Sequence, residues 1–168
     1  VLVVALSSEV SSLPRILPAF SNAGFFLSEA FMREIKKIIV HCAATPPSMD
    51  IGAEEIDSWH RERGFDSIGY HYVIRRDGRL EKGRSIGIAG AHARGHNFNS
   101  IGVCLVGGVD DEGQPENNFT RQQMKHLRKL LDFLTLTFER EAFGHRDMFG
   151  VSKACPSFDL RDWYYGNE

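Results

Sequence analysis

Long apolar runs are missing from this sequence. No stretch reaches the about 18 consecutive apolar residues that a membrane-spanning helix requires, so no membrane partner is expected. A charge excess of either sign is missing too: 20 Lys and Arg stand against 22 Asp and Glu, a formal net charge of −2. Chains that bind nucleic acid through general electrostatics carry a basic surplus, so no nucleic-acid partner is expected either. Cysteine is scarce. Cys42, Cys104 and Cys155 are odd in number and widely spaced, a poor disulfide framework. They suit a reducing compartment, with thiols free for packing or metal binding. The apolar opening VLVVAL has no basic residue before it and is short for the core of a signal peptide, so no secretory signal is expected. Internal repeats and low-complexity linkers are lacking as well.

What is present fits one domain. A chain of 168 residues with 42% hydrophobic and 25% charged content buries a sizeable core without disulfides. Residues 1–31 hold only three charged side chains, Glu9, Arg15 and Glu29, and read as an N-terminal extension. Met32 then opens MREIKKIIVHC, which reads like a natural start running into a first strand, so the functional domain is expected over 32–168.

From there helices and strands alternate. Ile38 to Cys42 is a short β-branched run bounded by AATPPS, a buried strand. Gly52 to Arg63 reads as a helix, with Glu54 and Glu55 in its first turn and Ile56 and Trp59 on one face. Tyr70 to Arg76 reads as a strand, and Asp77-Gly78 as a two-residue turn into its hairpin partner. Ser100 to Val106 is a third strong strand. Thr120 and Gln123 form a capping box ahead of a long helix whose apolar face includes Leu127, Leu131 and Leu134. A short strand at Ala142 to His145 and a helical turn from Asp159 complete an α/β fold, a central mixed β-sheet flanked by helices.

Three potential metal ligands stand where loops leave this scaffold: His41, His145 and Cys155. Two imidazoles and a thiolate suit zinc, which takes three protein ligands at catalytic sites and keeps a fourth place for water. Spacing alone leaves other readings open. Cys155 reads equally as a buried thiol, or as a nucleophile paired with His145. Cys42, adjacent to His41 on a strand, points to the opposite face and reads as a small core residue, as does Cys104. Tyr70 and Lys153 are, by themselves, a strand aromatic and a surface charge. His71 reads as structural, and His60, His96 and His126 as solvent or packing residues.

The segments VHCAAT, GYHYVIRRDG, AHARGHNFNSIGVCLVGG, GHRD and KACPSFDL, in that order, resemble the N-acetylmuramoyl-L-alanine amidase family shared by phage lysozymes of the T-seven type and animal peptidoglycan recognition proteins. The resemblance runs from about Ile38 to Trp163. It implies an amidase-type sheet and hydrolysis of the amide bond between MurNAc and L-alanine in peptidoglycan. It implies one zinc ion held by His41, His145 and Cys155, with Tyr70 assisting the attacking water and Lys153 stabilising the oxyanion. His92 is implied to line the substrate groove. Nine residues separate His145 from Cys155, a slightly longer interval than in close relatives. The resemblance further implies a monomeric phage or prophage endolysin, working from the host cytoplasm on the cell wall once the inner membrane is breached. Lysozymes of this type also bind RNA polymerase, largely through the segment before the first strand. This chain differs there, so that partner is not expected. Two other functions compete: a non-catalytic peptidoglycan binder, as in family members that lost the Cys ligand, and a metal-independent cysteine peptidase of the cell wall.

Overall fold

The computed structural model describes residues 33–166. The expectations for residues 1–31, and the boundary at Met32, lie outside the described residues.

β1 (Lys37–Cys42) and β4 (Ser100–Leu105) are almost wholly buried and pair in parallel from Lys37↔Ser100 to Cys42↔Leu105. Their near-continuous apolar runs are what strands covered on both faces require. β5 (Ala142–Gly144) extends the sheet beyond β1, and β2 (Tyr72–Ile74) extends it beyond β4, both in parallel. β3 (Leu80–Lys82) closes the other edge antiparallel to β2, giving the order β3-β2-β4-β1-β5 and the expected mixed sheet.

Strand alternation sorts the core onto two faces. Val40, Val103 and Leu105 join Leu127, Leu131 and Leu134 of α2 (Arg121–Phe138) and Leu160 of α3 (Leu160–Tyr165). On the opposite face Val73, Cys104 and Val106 pack with Ile56 and Trp59 of α1 (Ala53–Glu62). His41 lies one residue after Val40 and therefore projects to the α1 side.

The capping box of α2 forms as expected: Gln123 N–H donates to Thr120 Oγ1 at 3.1 Å, and Thr120 N–H to Gln123 Oε1 at 3.0 Å. Gln123 is fully buried, and its amide donates to the Ile74 and Val106 carbonyls at 3.1 and 2.7 Å. One side chain thus starts the helix and ties it to the strand ends beneath. At α1, Glu55 accepts from Gly52 N–H and Glu81 of β3 accepts from Ala53 N–H, both at 2.7 Å.

The strand expected over Tyr70 to Arg76 is shorter. Regular pairing covers only Tyr72–Ile74, because Gly78 N–H donates to the Arg75 carbonyl at 2.8 Å and draws Arg75 and Arg76 into the hairpin turn. The connection is three residues, Arg76 to Gly78, and not the expected two-residue Asp77-Gly78 turn: Arg75 N–H donates to the Arg79 carbonyl at 2.9 Å, and Gly78 alone of the three takes a positive φ, +89°. At the other end His71 keeps its main-chain pairing, donating to the Gly102 carbonyl at 2.9 Å, outside the regular ladder.

His71 is structural, as its sequence position suggested. It is 1% exposed, and its Nδ1 accepts from Gly102 N–H at 2.9 Å. Burial holds this imidazole down at about 4, below its ordinary 6.5. In the unfolded chain the ring takes up its proton near pH 6.5, so its contribution to stability is complete above that value. The contribution is then lost progressively as the pH falls toward 4. The slope is about 1.4 kcal/mol per pH unit for one such ring. The urea midpoint should therefore drop between pH 7 and pH 5, above the range where carboxylates titrate. An unchanged midpoint across that interval would refute this account.

Candidate metal centre and groove

The carboxyl ends of parallel strands are where open α/β sheets place their sites, and β1 and β5 end side by side here. His41 leaves the end of β1. His145 follows β5 directly, in a 3-10 turn over His145–Asp147. Asp147 Oδ2 accepts from Gly144 N–H at 2.8 Å and fixes that turn, a role for the last residue of GHRD that sequence reading missed. Cys155 arrives on the loop before α3, held by Arg146 N–H donating to its carbonyl at 2.7 Å.

These elements bring His41, His145 and Cys155 together, with their ligand atoms all within 4.8 Å of one another. The His41 and His145 ring centroids are 4.4 Å apart, and His41 Nδ1 faces Cys155 Sγ at 3.8 Å. His41 is 1% exposed. Burial first, and then His92, His145 and Lys153, push its imidazole well below the ordinary value, so the ring is neutral with a lone pair to give. Burial and the nearby Lys153 lower His145 in the same direction.

A cavity of 230 Å³ surrounds the cluster, lined also by Tyr70, Lys153 and Arg63. Among the described residues it has no carboxylate lining. The Tyr70 ring centroid is 5.2 Å from that of His41. Burial, followed by the nearby cysteine thiols, raises its hydroxyl well above the ordinary value, so it remains a neutral donor. Lys153 lines both this cavity and an outer groove of 710 Å³. His92 and His145 border both spaces too, so the groove leads to the cluster.

His92 borders the groove, and it also stands against the cluster, with Nδ1 at 2.9 Å from His41 Nε2. The interval between His145 and Cys155 carries Phe149, 98% exposed at the groove's margin. Arg63 and Phe149 belong to no motif, so nothing in the sequence pointed to them. His60 is a packing residue: its Nδ1 accepts from Gly69 N–H at 2.8 Å, and its ring lies 5.5 Å from Tyr70.

Cys42 is a small buried core residue, as its position beside His41 suggested, and it also touches the cluster. Its main-chain N–H donates to Cys155 Sγ at 3.3 Å, and its thiol lies 3.8 Å from Ser157 Oγ. The reason is that β1 ends at Cys42, and the 155–157 segment wraps over the strand terminus and reaches both of its faces.

Sheet and cluster together define an α/β domain with a potential three-ligand metal centre at its strand ends. The chain belongs to the N-acetylmuramoyl-L-alanine amidase family, which matches residues 31–158. It is 51% identical over 132 residues to the endolysin of Enterobacteria phage T3, spanning 78% of this chain and 86% of that protein. The endolysin of Escherichia phage T7 is 50% identical over the same shares. Among solved structures, the amidase LysC from Clostridium intestinale superposes with a TM-score of 0.66 at 27% identity, covering 77% of this chain and 81% of its own. Drosophila PGRP-LB, at 24% identity and a TM-score of 0.65 over 82% of this chain and 85% of its own, shares the fold.

Proposed function

We propose that this protein is a zinc-dependent N-acetylmuramoyl-L-alanine amidase of the phage endolysin type, cutting the amide bond between MurNAc and L-alanine in peptidoglycan. The observation that carries the reading is the His41, His145 and Cys155 cluster, with its ligand atoms within 4.8 Å, at the head of an open groove. The endolysins of phages T3 and T7, about half identical over most of their length, support the substrate class.

The donor set fits zinc. Two neutral imidazoles and a thiol, with no carboxylate beside them among the described residues, match its borderline-soft preference. Two ligands of one tetrahedral zinc stand roughly 3.5 Å apart, close to the 3.8 Å between His41 Nδ1 and Cys155 Sγ. When bound, zinc supplies Lewis acidity and an activated water.

The chain's own residues perform the rest. Amide hydrolysis develops negative charge on the carbonyl oxygen and needs a proton on the departing amine. The Lys153 ammonium, exposed at the junction of cavity and groove, meets that oxyanion. The Tyr70 hydroxyl, kept neutral by burial, orients the attacking water. The groove holds the glycan and stem peptide on either side of the bond. In the infected cell the enzyme acts from the cytoplasm on the wall, as a monomer and without RNA polymerase as a partner.

Digestion of purified peptidoglycan, with mass analysis of the products, tests the reading. The expected products are intact glycan strands and peptides with free L-alanine N-termini, released without chelator and suppressed by it. Chelator-resistant cleavage within the peptide would instead mark Cys155 and His145 as a cysteine peptidase pair. Wall binding with no released product would mark a binding protein.

A further inference from the structure

We propose that His92 is a positioning residue that sets the tautomer of His41, so that Nδ1 and not Nε2 is presented to the metal. This rests on His41 being a ligand. The chain of contacts runs from the cluster into the protein. His41 Nε2 lies 2.9 Å from His92 Nδ1, His92 Nε2 lies 3.3 Å from Ser100 Oγ, and Ser100 Oγ lies 2.7 Å from the His96 carbonyl.

The far end dictates the polarity of the whole chain. A carbonyl oxygen only accepts, so the Ser100 hydroxyl donates its one proton to His96. The Ser100 oxygen then accepts from His92, which puts the His92 proton on Nε2. His92 Nδ1 is left as an acceptor and takes the proton on His41 Nε2. His41 Nδ1 therefore carries the lone pair, and Nδ1 is the atom that faces Cys155 at 3.8 Å. A backbone carbonyl three links away thus decides which nitrogen of His41 is free.

The seat of the His92 ring is built for it. A Cβ on Gly102, in the middle of buried β4, or on Gly90 would press into the ring. Asn97 Oδ1 accepts from the His92 and Ala93 N–H groups, both at 2.8 Å, and fixes the backbone that carries the ring. Partners of this kind, donated to by the second nitrogen of a ligating imidazole, typically alter metal affinity or activity by about 10- to 100-fold when removed.

Zinc affinity, measured by competition with a chromogenic chelator, tests the proposal through two variants of similar size. His92→Leu, which has no acceptor, should weaken zinc binding by about 10- to 100-fold. His92→Asn, whose Oδ1 takes the place of Nδ1, should recover most of that loss. Nitrogen-15 NMR of the metal-free protein should find His41 as the Nε2–H tautomer in the parent and in His92→Asn, and as a mixture in His92→Leu. Equal zinc affinities and unchanged His41 tautomers in both variants, with only KM raised, would overturn the proposal and leave His92 as a wall of the groove. A parent protein that binds no zinc would sink the metal reading instead, and the tautomer measurement would still decide the role of His92.

Discussion

Cys155→Ser and His41→Ala should each leave the protein folded but without zinc and without wall hydrolysis. Serine is nearly the same size as cysteine, yet it offers a protonated alcohol where zinc favours a thiolate. Its oxygen also sits on a shorter bond, which widens the 3.8 Å separation from His41 Nδ1. His41→Ala removes a buried ring and empties the centre of the cluster. The Lewis acidity lost with the metal is worth several kcal/mol of barrier, so the rate should fall on the order of 1000-fold or more. Elemental analysis of the purified variants, beside the release of L-alanine N-termini from peptidoglycan, checks both halves. Stoichiometric zinc retained in either variant would refute the ligand assignment.

Tyr70→Phe and Lys153→Ala separate the metal from the groups around it. Neither substitution touches a ligand, so each variant should keep its zinc. Tyr70→Phe keeps the ring 5.2 Å from His41 and deletes only the hydroxyl, so packing is preserved while the water loses its orienting partner. Lys153→Ala removes a positive charge that presses on both His41 and His145, which slightly favours the cation. Any loss of rate in that variant therefore reports the missing oxyanion partner and not a missing metal. Removing one such donor costs on the order of 100- to 1000-fold in rate. The loss should appear in kcat, since both groups act as charge develops; a change confined to KM would mean that they only hold substrate. Near-parental turnover by both zinc-loaded variants would remove Tyr70 and Lys153 from the mechanism.

Features whose cause is local were legible in the sequence. The capping box at Thr120 and Gln123, a hairpin turn with Gly78 at positive φ (one residue longer than expected) and the buried runs of β1 and β4 all depend on neighbours within a few residues, and all are found. The ordered motifs supplied the cluster, because five segments in family order carry information that isolated histidines lack. Features set by long-range contact were not legible. Cys42 comes to the cluster only because a segment more than a hundred residues later folds over the end of its strand. Arg33 stands before any motif, yet its guanidinium donates to the Ile86 and Ser100 carbonyls, both at 2.7 Å, and binds the segment before β1 to the loop at Ile86 and to the start of β4. The pairing of His92 with His41 spans 51 positions, and a glycine in the middle of a strand gave no hint that it makes room for a ring.

The cluster draws together the first strand, the turn after the last strand and the loop before the final helix, so a cation held there is a cross-link across nearly the whole domain. The unfolded chain has no such preformed site, so the cation's binding energy becomes folding energy. By mass action, free zinc at about 1,000 times its dissociation constant adds about 4 kcal/mol to stability, comparable with an entire disulfide. A chain with no disulfide framework would gain in this way a reversible staple. Its melting temperature should then climb with zinc concentration and sink in chelator, so metal supply would govern the enzyme's endurance as well as its turnover.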